Sequence, residues 1–522
     1  MAVESGISEV AIEASLKPFL IVLAVSLSVA ALSKLVPFLR RIPYTLLLVI
    51  VGLCLAFVDV RLANLSPELI LTIFLPPLLF EAAWNLNWAK LKQNAVPVAF
   101  YAVFGVIIVV VGIAIALDQL TSVALPTALL IGACLSATDP VSVTALFREL
   151  GVGRRLSTVM EGESLCNDGM AVVAFSFLLA AALGTAELAV KPILVEFFVV
   201  VGVGVGTGLV TGFGISYLTQ RFDLPLVEQS LTLVSAYAVY LVAEDLGGSG
   251  VIAVVTTALI LGNFGSRIGM SPRTRLIVTE FWEFLAFFVN SIVFLLIGDQ
   301  IQFENLDVNL GAIAITVTAL IATRAIAIYL FGAISNQITQ VDLSLKEQTV
   351  LWWGGLRGAV SIALALSLPN TFPERETVIS VVFGVVLFTL LVQGLTVEPL
   401  LSQLNLIGDQ PLRQKLAEQL ARRTALKRVL KYLLKVEDRP GIDLEFCRYQ
   451  ESLIKGEISQ IESAMEKLQE EHPNLREFAT EQLKEELLAV EAEAYAEMVR
   501  VGRLNQELSP LLETALLGEE QE

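Results

Sequence analysis

The sequence predicts an all-α polytopic membrane protein with about thirteen transmembrane helices, followed by a helical C-terminal tail. Of the 522 residues, 55% are hydrophobic and 17% are charged, with a mean hydropathy of +0.73. A soluble domain would carry about 25% charged residues. Apolar stretches of spanning length recur between about residues 17 and 404. After about residue 404 the sequence becomes charged and amphipathic, which indicates a separate tail.

Thirteen apolar windows are candidate membrane spans, and the positions of the basic residues between them provide a test of this number. With the N-terminus outside, most Lys and Arg residues near the spans fall in cytoplasmic loops, whereas the outer loops hold only Arg61, Lys191 and Arg375. This asymmetry follows the positive-inside rule and favours an odd number of spans. We therefore expect a transmembrane domain over 1–404 and a cytoplasmic, regulatory tail over 405–522. The windows cover roughly 18–36, 43–60, 67–87, 95–117, 123–146, 157–183, 192–218, 226–246, 248–264, 277–299, 309–333, 347–369 and 377–402.

Composition also excludes several kinds of site. The four cysteines have no metal-binding or redox spacing, and the only histidine, His472, lies in the tail. The net charge of −17 includes an excess of acidic residues in the tail, which we interpret as a solvated acidic surface with no nucleic-acid partner. We expect a transporter rather than an enzyme, without a cofactor. The first apolar run lacks a basic leader, so we expect a retained helix and a bacterial inner membrane.

The tail begins with basic residues interleaved with leucines over 413–435. This pattern predicts an amphipathic helix on the anionic inner leaflet, with an ordinary helix packed on its neighbours as the alternative. Apolar residues also recur at helical spacing over 454–468 and 483–498. These helices need a partner surface, which is each other, a second subunit or the membrane domain.

A proline follows a carboxylate in the fifth window, in Ser136-Ala137-Thr138-Asp139-Pro140. Pro140 lacks a backbone N–H and clashes with the preceding turn, so we expect the helix to kink or unwind. A charge at this depth costs about 2.5–3.5 kcal/mol on insertion scales, and broken backbone there lines a cavity or is buried in protein. The Thr138 hydroxyl and the Asp139 carboxylate are therefore predicted ligands of a small cation. A simple kink with a locally bonded Asp139 is the alternative.

The sixth window contains Glu163-Ser164-Leu165-Cys166-Asn167-Asp168, in which Ser164, Asn167 and Asp168 share one helical face. Asp168 is the best candidate for a carboxylate that holds either a proton or a cation. If the site can change the side of the membrane that it faces only when a proton or a cation is bound, the two ions must be exchanged for each other. Asn167 is predicted to brace the broken helix without adding charge, and a helix-packing polar pair is the alternative.

Glu163 points to another face of the same helix and needs a partner at membrane depth. Arg324 and Arg357 are both candidates, and the residues alone do not decide between them. Either pair would be a structural strut, because opposite charges held together do not readily titrate.

The glycine-rich segment from Trp353 to Ser361 forms a second break, in the second of the last three windows. Asp139 and Pro140 lie in the second of the fourth to sixth windows, the equivalent position in that group of three. Helix breaks at equivalent positions in two halves indicate an inverted repeat with a binding site near the middle of the membrane. Glu81 ends a double-proline segment that we expect at a dimer face or cavity mouth, with a plain kinked helix as the alternative. Asn290 and Ser291 are polar within an apolar window, with no pattern that predicts a role.

Together these strings resemble the cation:proton antiporters of the monovalent cation/proton antiporter-1 family, of the prokaryotic NhaP type. The resemblance covers the whole membrane region. It implies a homodimer whose protomers each have a dimerisation domain and a six-helix core with two crossed, partly unwound helices. It rests on Phe-Leu-Pro-Pro-Leu-Leu-Phe-Glu at 74–81, Ala-Thr-Asp-Pro at 137–140, Glu-Ser-Leu-Cys-Asn-Asp at 163–168 and Gly-Gly-Leu-Arg-Gly-Ala at 354–359.

The resemblance implies electroneutral exchange of Na⁺ or Li⁺ for H⁺ by alternating access, with no cofactor beyond the transported ions. Glu163 is then expected to pair with Arg324, and Asn167 to accompany one-for-one exchange. K⁺/H⁺ exchange by the same fold is the alternative. A passive cation channel is less favoured, because one break per half favours a closed site over a continuous filter. The residues implied to surround the ion are Thr138, Asp139, Ser164 and Asp168.

Overall fold

A computed structural model describes residues 19–33, 35–36, 42–58, 62, 69–184, 190–220, 224–266, 269–301, 303–339, 343–408, 410–436, 444–471 and scattered positions over 475–498. Every regular element in these ranges is a helix. The chain divides into two compact units, Met1–Arg148 with Val152–Leu406 and Glu149–Gly151 with Ile407–Glu522. The N-terminal residues 1–18, for which an outside position is predicted, lie beyond the described ranges.

The helices before residue 407 follow the order of the predicted windows. They are α1 (Phe19–Ser33), α2 (Tyr44–Phe57), α3 (Leu69–Asn85), α4 (Trp88–Gln93), α5 (Ala95–Leu120), α6 (Leu125–Cys134), α7 (Val141–Leu150), α8 (Arg154–Ala182), α9 (Val190–Thr219), α10 (Pro225–Asp245), α11 (Gly250–Gly265), α12 (Pro272–Asp299), α13 (Phe303–Ile338), α14 (Leu345–Trp353), α15 (Ala359–Leu366) and α16 (Arg375–Gln403).

Each predicted window coincides with one helix or, in two cases, with a pair of half-helices. Among the described residues, seven helices are long and apolar enough to cross a membrane: α5, α8, α9, α10, α12, α13 and α16. Five shorter apolar helices accompany them: α1, α2, α3, α6 and α11. The all-helical membrane fold is thus confirmed, whereas the count of thirteen crossings stays a prediction.

Local sequence explains where several helices begin. Ser344 starts α14 with a capping box, in which its hydroxyl accepts from the Glu347 N–H and the Glu347 carboxylate accepts from the Ser344 N–H at 2.8 Å. The first turn of a helix has N–H groups without helical partners, and these contacts satisfy two such donors. Ser271 caps α12 in a similar way, with Pro272 in the first turn.

The helices form two packed groups. The core helices are α5, α6, α8 and α13 to α16, with α7 as the continuation of α6, and the scaffold helices are α1 to α3 and α9 to α12. Small residues allow close packing: a Cβ on Gly52 of α2 or Gly298 of α12 would collide with the backbone of the other helix. The groups meet where α3 and α12 contact α15 and where α11 contacts α8. The Thr45 and Ser142 hydroxyls also lie 2.7 Å apart between the groups.

The second unit contains α17 (Gln410–Val436) and α18 (Leu444–Glu471), which pack on each other. Leu416, Met465 and Leu475 are buried together, and Lys427 contacts Glu462 at 2.9 Å. The basic segment 413–435 therefore packs on a neighbouring helix that contains 454–468, as in the alternative given for it. Pairing of 454–468 with 483–498 stays a prediction. Contact of the basic helix with lipid stays a prediction, and residues 499–522 lie outside the described ranges.

Candidate ion site

The two interrupted helices lie against each other at their breaks. Residues 135–140 separate α6 from α7, and residues 354–358 separate α14 from α15. The Asp139 N–H donates to the Leu356 carbonyl at 2.8 Å. Gly358 makes this approach possible, because a Cβ there would lie 2.7 Å from the Cβ of Asp139. Proline in one segment and glycine in the other therefore allow the two non-helical segments to lie in contact with each other.

Asn167 of α8 braces the first break through Thr138. Its Oδ1 accepts from the Thr138 N–H at 3.2 Å, and its Nδ2 donates to the Thr138 hydroxyl at 2.6 Å. That hydroxyl lies 2.7 Å from the Ser164 hydroxyl, and all three side chains are buried. The amide therefore replaces a helical partner that the break removes, which buried backbone groups require.

Two carboxylate oxygens at this centre have no hydrogen-bond partner in the described part of the chain. Asp139 uses Oδ1 to accept from the Val141 N–H at 3.0 Å, which caps the start of α7, while its Oδ2 is unpaired. Oδ1 of Asp168 is also unpaired, and both of these unpaired oxygen atoms are buried. A buried carboxylate oxygen without a partner is costly. Both positions therefore suit a proton, a water molecule or a cation.

A cavity of about 70 Å³ connects these groups. This volume exceeds the roughly 10–15 Å³ that one water molecule needs. Its polar core-side lining consists of Thr138, Asp139, Ser164 and Asp168. Scaffold helices α3 and α12 close the other side with mostly apolar residues. The cavity therefore lies between the two helix groups, where relative movement would change its surroundings.

Arg357, in the second break, binds the non-helical segment that follows α6. It is fully buried, and its Nη1 donates to the carbonyls of Ser136 at 2.9 Å and Ala137 at 2.8 Å. The backbone N–H of Arg357 donates to the Thr389 hydroxyl at 3.1 Å. Buried carbonyls in an unwound segment lack helical partners, so the guanidinium satisfies groups that the break leaves unpaired.

Arg324 forms a bidentate ion pair with Glu163. Its Nη1 lies 2.9 Å from Oε1 and its Nη2 lies 3.3 Å from Oε2, with both side chains buried. The same guanidinium donates to the carbonyls of Leu351 at 2.9 Å and Trp352 at 3.1 Å, at the carboxyl end of α14. Arg324 therefore caps the second half-helix while it neutralises a buried carboxylate.

Glu81 lies apart from the cavity lining. It is partly buried on α3 and accepts from Asn85 Nδ2 at 2.7 Å, whereas the next residue, Ala82, lines the cavity. Sequence reasoning missed Thr389, and it assigned no role to Asn290, which lines the cavity. The available sequence signal for both residues was a polar side chain within an apolar window. This signal does not show which residue or ion the side chain contacts.

A sequence model of the family described as "Sodium/hydrogen exchanger, transmembrane" matches residues 24–403. The Na⁺/H⁺ antiporter ApNhaP of Aphanothece halophytica is 60% identical over 517 residues, 99% of each chain. The low-affinity Na⁺/H⁺ antiporter NhaS1 of Synechocystis sp. is 56% identical over 504 residues, 96% of each chain. These matches confirm the resemblance that the motifs carry.

A solved structure shares the fold at low sequence identity. The sodium proton antiporter MjNhaP1 from Methanocaldococcus jannaschii superposes with a TM-score of 0.62 at 19% identity, over 74% of this chain and 97% of that chain. This chain therefore shares its fold with a solved antiporter structure. The protein belongs to the sodium/hydrogen exchanger family.

Proposed function

We propose that this protein exchanges Na⁺, or Li⁺, for H⁺ across a membrane, and that cation and proton compete for Asp139 and Asp168. The observation that carries the proposal is the pair of unpaired carboxylate oxygens on two residues that line one cavity. Relatives named as Na⁺/H⁺ antiporters match nearly the whole chain, which favours Na⁺ over K⁺ as the exchanged cation.

The site supplies hard oxygen ligands for a dehydrated cation. Two carboxylate oxygens attract positive charge, and the hydroxyls of Thr138 and Ser164 can replace part of the hydration shell. A proton on the same carboxylates removes their charge, so protonation and cation binding exclude each other. This competition couples the two fluxes without any cofactor.

The uncharged Asn167 beside Asp168 supports one-for-one exchange, as the resemblance to the antiporter family implies. In such exchange one monovalent cation replaces one proton. The loaded core therefore carries the same charge in both directions, and its movement creates no membrane potential. Because the cavity lies between core and scaffold helices, movement of the core can expose it to either side in turn.

Three further properties belong to the same proposal. We place the protein in a bacterial inner membrane as a homodimer, with the tail in the cytoplasm. The distribution of basic loop residues supports this orientation, and the fold shared with another antiporter supports the dimer. The basic surface of α17 would then contact anionic lipid, with the tail as a regulatory unit.

The test uses proteoliposomes that contain a pH-sensitive dye and receive Na⁺, Li⁺, K⁺ or Ca²⁺ in turn. We expect Na⁺ and Li⁺ to drive proton flux, Asp168→Asn to abolish it, and Asp139→Asn to reduce it to near background. Asp118→Asn, at an exposed position on α5, is the matched control and should transport normally. Absence of cation-driven proton flux would refute the proposal. A potential detected by a voltage-sensitive dye would refute electroneutral exchange.

A further inference from the structure

Asn290 is the polar side chain that the scaffold contributes to the lining of the cavity. It belongs to α12, and it lines the same space as Asp139 and Asp168. The other scaffold residues that line this space are apolar: Leu75, Leu78, Leu79, Ala82 and Phe294. An amide on an otherwise apolar wall, opposite two carboxylates, requires an explanation.

The Asn290 amide has no hydrogen-bond partner within the described residues. The adjacent Ser291 differs: its hydroxyl donates to the Phe287 carbonyl at 2.6 Å and contacts the Tyr44 hydroxyl at 3.0 Å. The Ser291 carbonyl accepts from Ser26 at 3.1 Å. Ser291 is therefore satisfied by helix packing. Asn290 is partly exposed and lines the cavity, so its amide is available to bind what the cavity contains.

We propose that the amide oxygen of Asn290 is a scaffold ligand to the transported cation and determines its affinity and selectivity. This inference rests on the proposed exchange of Na⁺ for H⁺. An amide carbonyl is a hard oxygen donor, as cations of this kind prefer, and it adds no charge to the two carboxylates. The cation would then bridge core and scaffold, because Asp139 and Asp168 belong to one helix group and Asn290 to the other.

The bridge has a mechanistic consequence. When the core moves against the scaffold, the carboxylates travel with the cation and Asn290 stays behind. The ligand set then differs between the two states, and the cation is held more tightly where Asn290 is in reach. Asn290 therefore contributes to cation affinity and selectivity, whereas proton binding at the carboxylates does not require it.

The test measures initial exchange rates against Na⁺ and Li⁺ concentration in proteoliposomes. We expect Asn290→Ala to raise the KM for Na⁺ about tenfold, the effect of one lost ligand worth about 1.4 kcal/mol, with Vmax within about twofold of wild type. The ratio of Li⁺ to Na⁺ affinity should also change. Asn290→Asp keeps an oxygen at this position and should retain a KM for Na⁺ closer to wild type.

Ser291→Ala is the matched control, since it lies next to Asn290 but is satisfied by protein groups, and its KM should equal that of wild type. Na⁺-dependent thermal stabilisation of the purified variants gives a second readout of binding that does not need transport. Unchanged KM and unchanged Na⁺ stabilisation in Asn290→Ala would overturn the inference, as would an equal change in Ser291→Ala. Wild-type protein without Na⁺-driven proton flux would instead refute the proposed function.

Discussion

The backbone N–H of Asp139 donates to the carbonyl of Leu356 at 2.8 Å, and this bond joins the two helix breaks at their centres. Each break leaves backbone carbonyls that have no helical partner. Arg357 donates to carbonyls of the first break, and Arg324 donates to the carbonyls at the end of α14. Two buried arginines therefore make two energetically costly breaks tolerable.

We expect Arg357→Met to lower both the thermal stability and the exchange rate. The substitution leaves the carbonyls of Ser136 and Ala137 buried without a side-chain donor, which costs about 1–3 kcal/mol for each unsatisfied group. Arg357→Lys should recover part of this loss, because one ammonium group can donate to both carbonyls, as the single Nη1 of Arg357 does. Thermal unfolding of the purified protein and initial proton flux measure the two effects.

Arg422→Met is the control for Arg357, because Arg422 is 64% exposed on α17 and contacts only the exposed Glu418 among its described ion-pair partners. Its melting temperature should match that of wild type. A wild-type melting temperature in Arg357→Met would contradict a stabilising role of Arg357 at the break.

The Glu163–Arg324 pair should show strong coupling in a double-mutant cycle. Removing one partner of a buried ion pair costs about 3–5 kcal/mol, because it leaves an uncompensated charge. Arg324→Ala should cost more than Glu163→Gln, since it also frees the carbonyls of Leu351 and Trp352. Chemical unfolding of the two single variants and the double variant measures the coupling.

Arg422 and Glu418 provide a comparison pair on the surface of α17, with an N–O distance of 2.7 Å and exposed fractions of 64% and 58%. Breaking this pair should change the stability by at most about 1 kcal/mol. Coupling at Glu163 and Arg324 no larger than at this surface pair would show that the buried pair is not a strut.

Local chemistry made the breaks predictable, whereas their partners depend on the fold. Pro140 and the glycines near Gly355 act on their own backbone, so the sequence alone indicates where the helices stop. Arg324 and Glu163 are 161 residues apart in the chain, and Arg357 and Ser136 are 221 apart. Contacts between residues so far apart in the chain produce no local sequence pattern. The sequence alone therefore kept both Arg324 and Arg357 as possible partners of Glu163.

Asn290 and the tail illustrate the same limit. The window around Asn290 is apolar on most sides, so its periodicity does not show which face points to the cavity. In the tail, amphipathic spacing predicts helices, but it is compatible with several partner surfaces. The packing of α17 on α18 identifies one of them.

Asn167→Ala should reduce the exchange rate at least about tenfold. The change removes both hydrogen bonds to Thr138, one of them from a buried backbone N–H, and each is worth about 0.5–1.5 kcal/mol. Thr138 would lose the orientation of its hydroxyl toward Ser164 and the cavity. Initial rates, normalised to folded protein, measure this effect.

Asn263→Ala is the matched control for Asn167. Asn263 also makes two hydrogen bonds across helices, to the Trp88 N–H at 2.8 Å and the Leu86 carbonyl at 2.9 Å, but it lies outside the cavity lining. It should lower stability and leave the normalised rate near that of wild type. An equal loss of normalised rate in both variants would remove Asn167 from the site.

Leu416→Ala should loosen the tail without a direct effect on the cavity. Leu416 is fully buried in the second unit with Met465 and Leu475, and truncation of a buried leucine costs about 2–5 kcal/mol. The cavity created there weakens the packing of α17 on α18, so limited proteolysis of the intact protein should cut the tail faster.

Leu453→Ala, at a 47% exposed position on α18, removes the same atoms from the surface and should be cut at the wild-type rate. Equal cleavage rates for the two variants would show that this cluster does not hold the tail helices together.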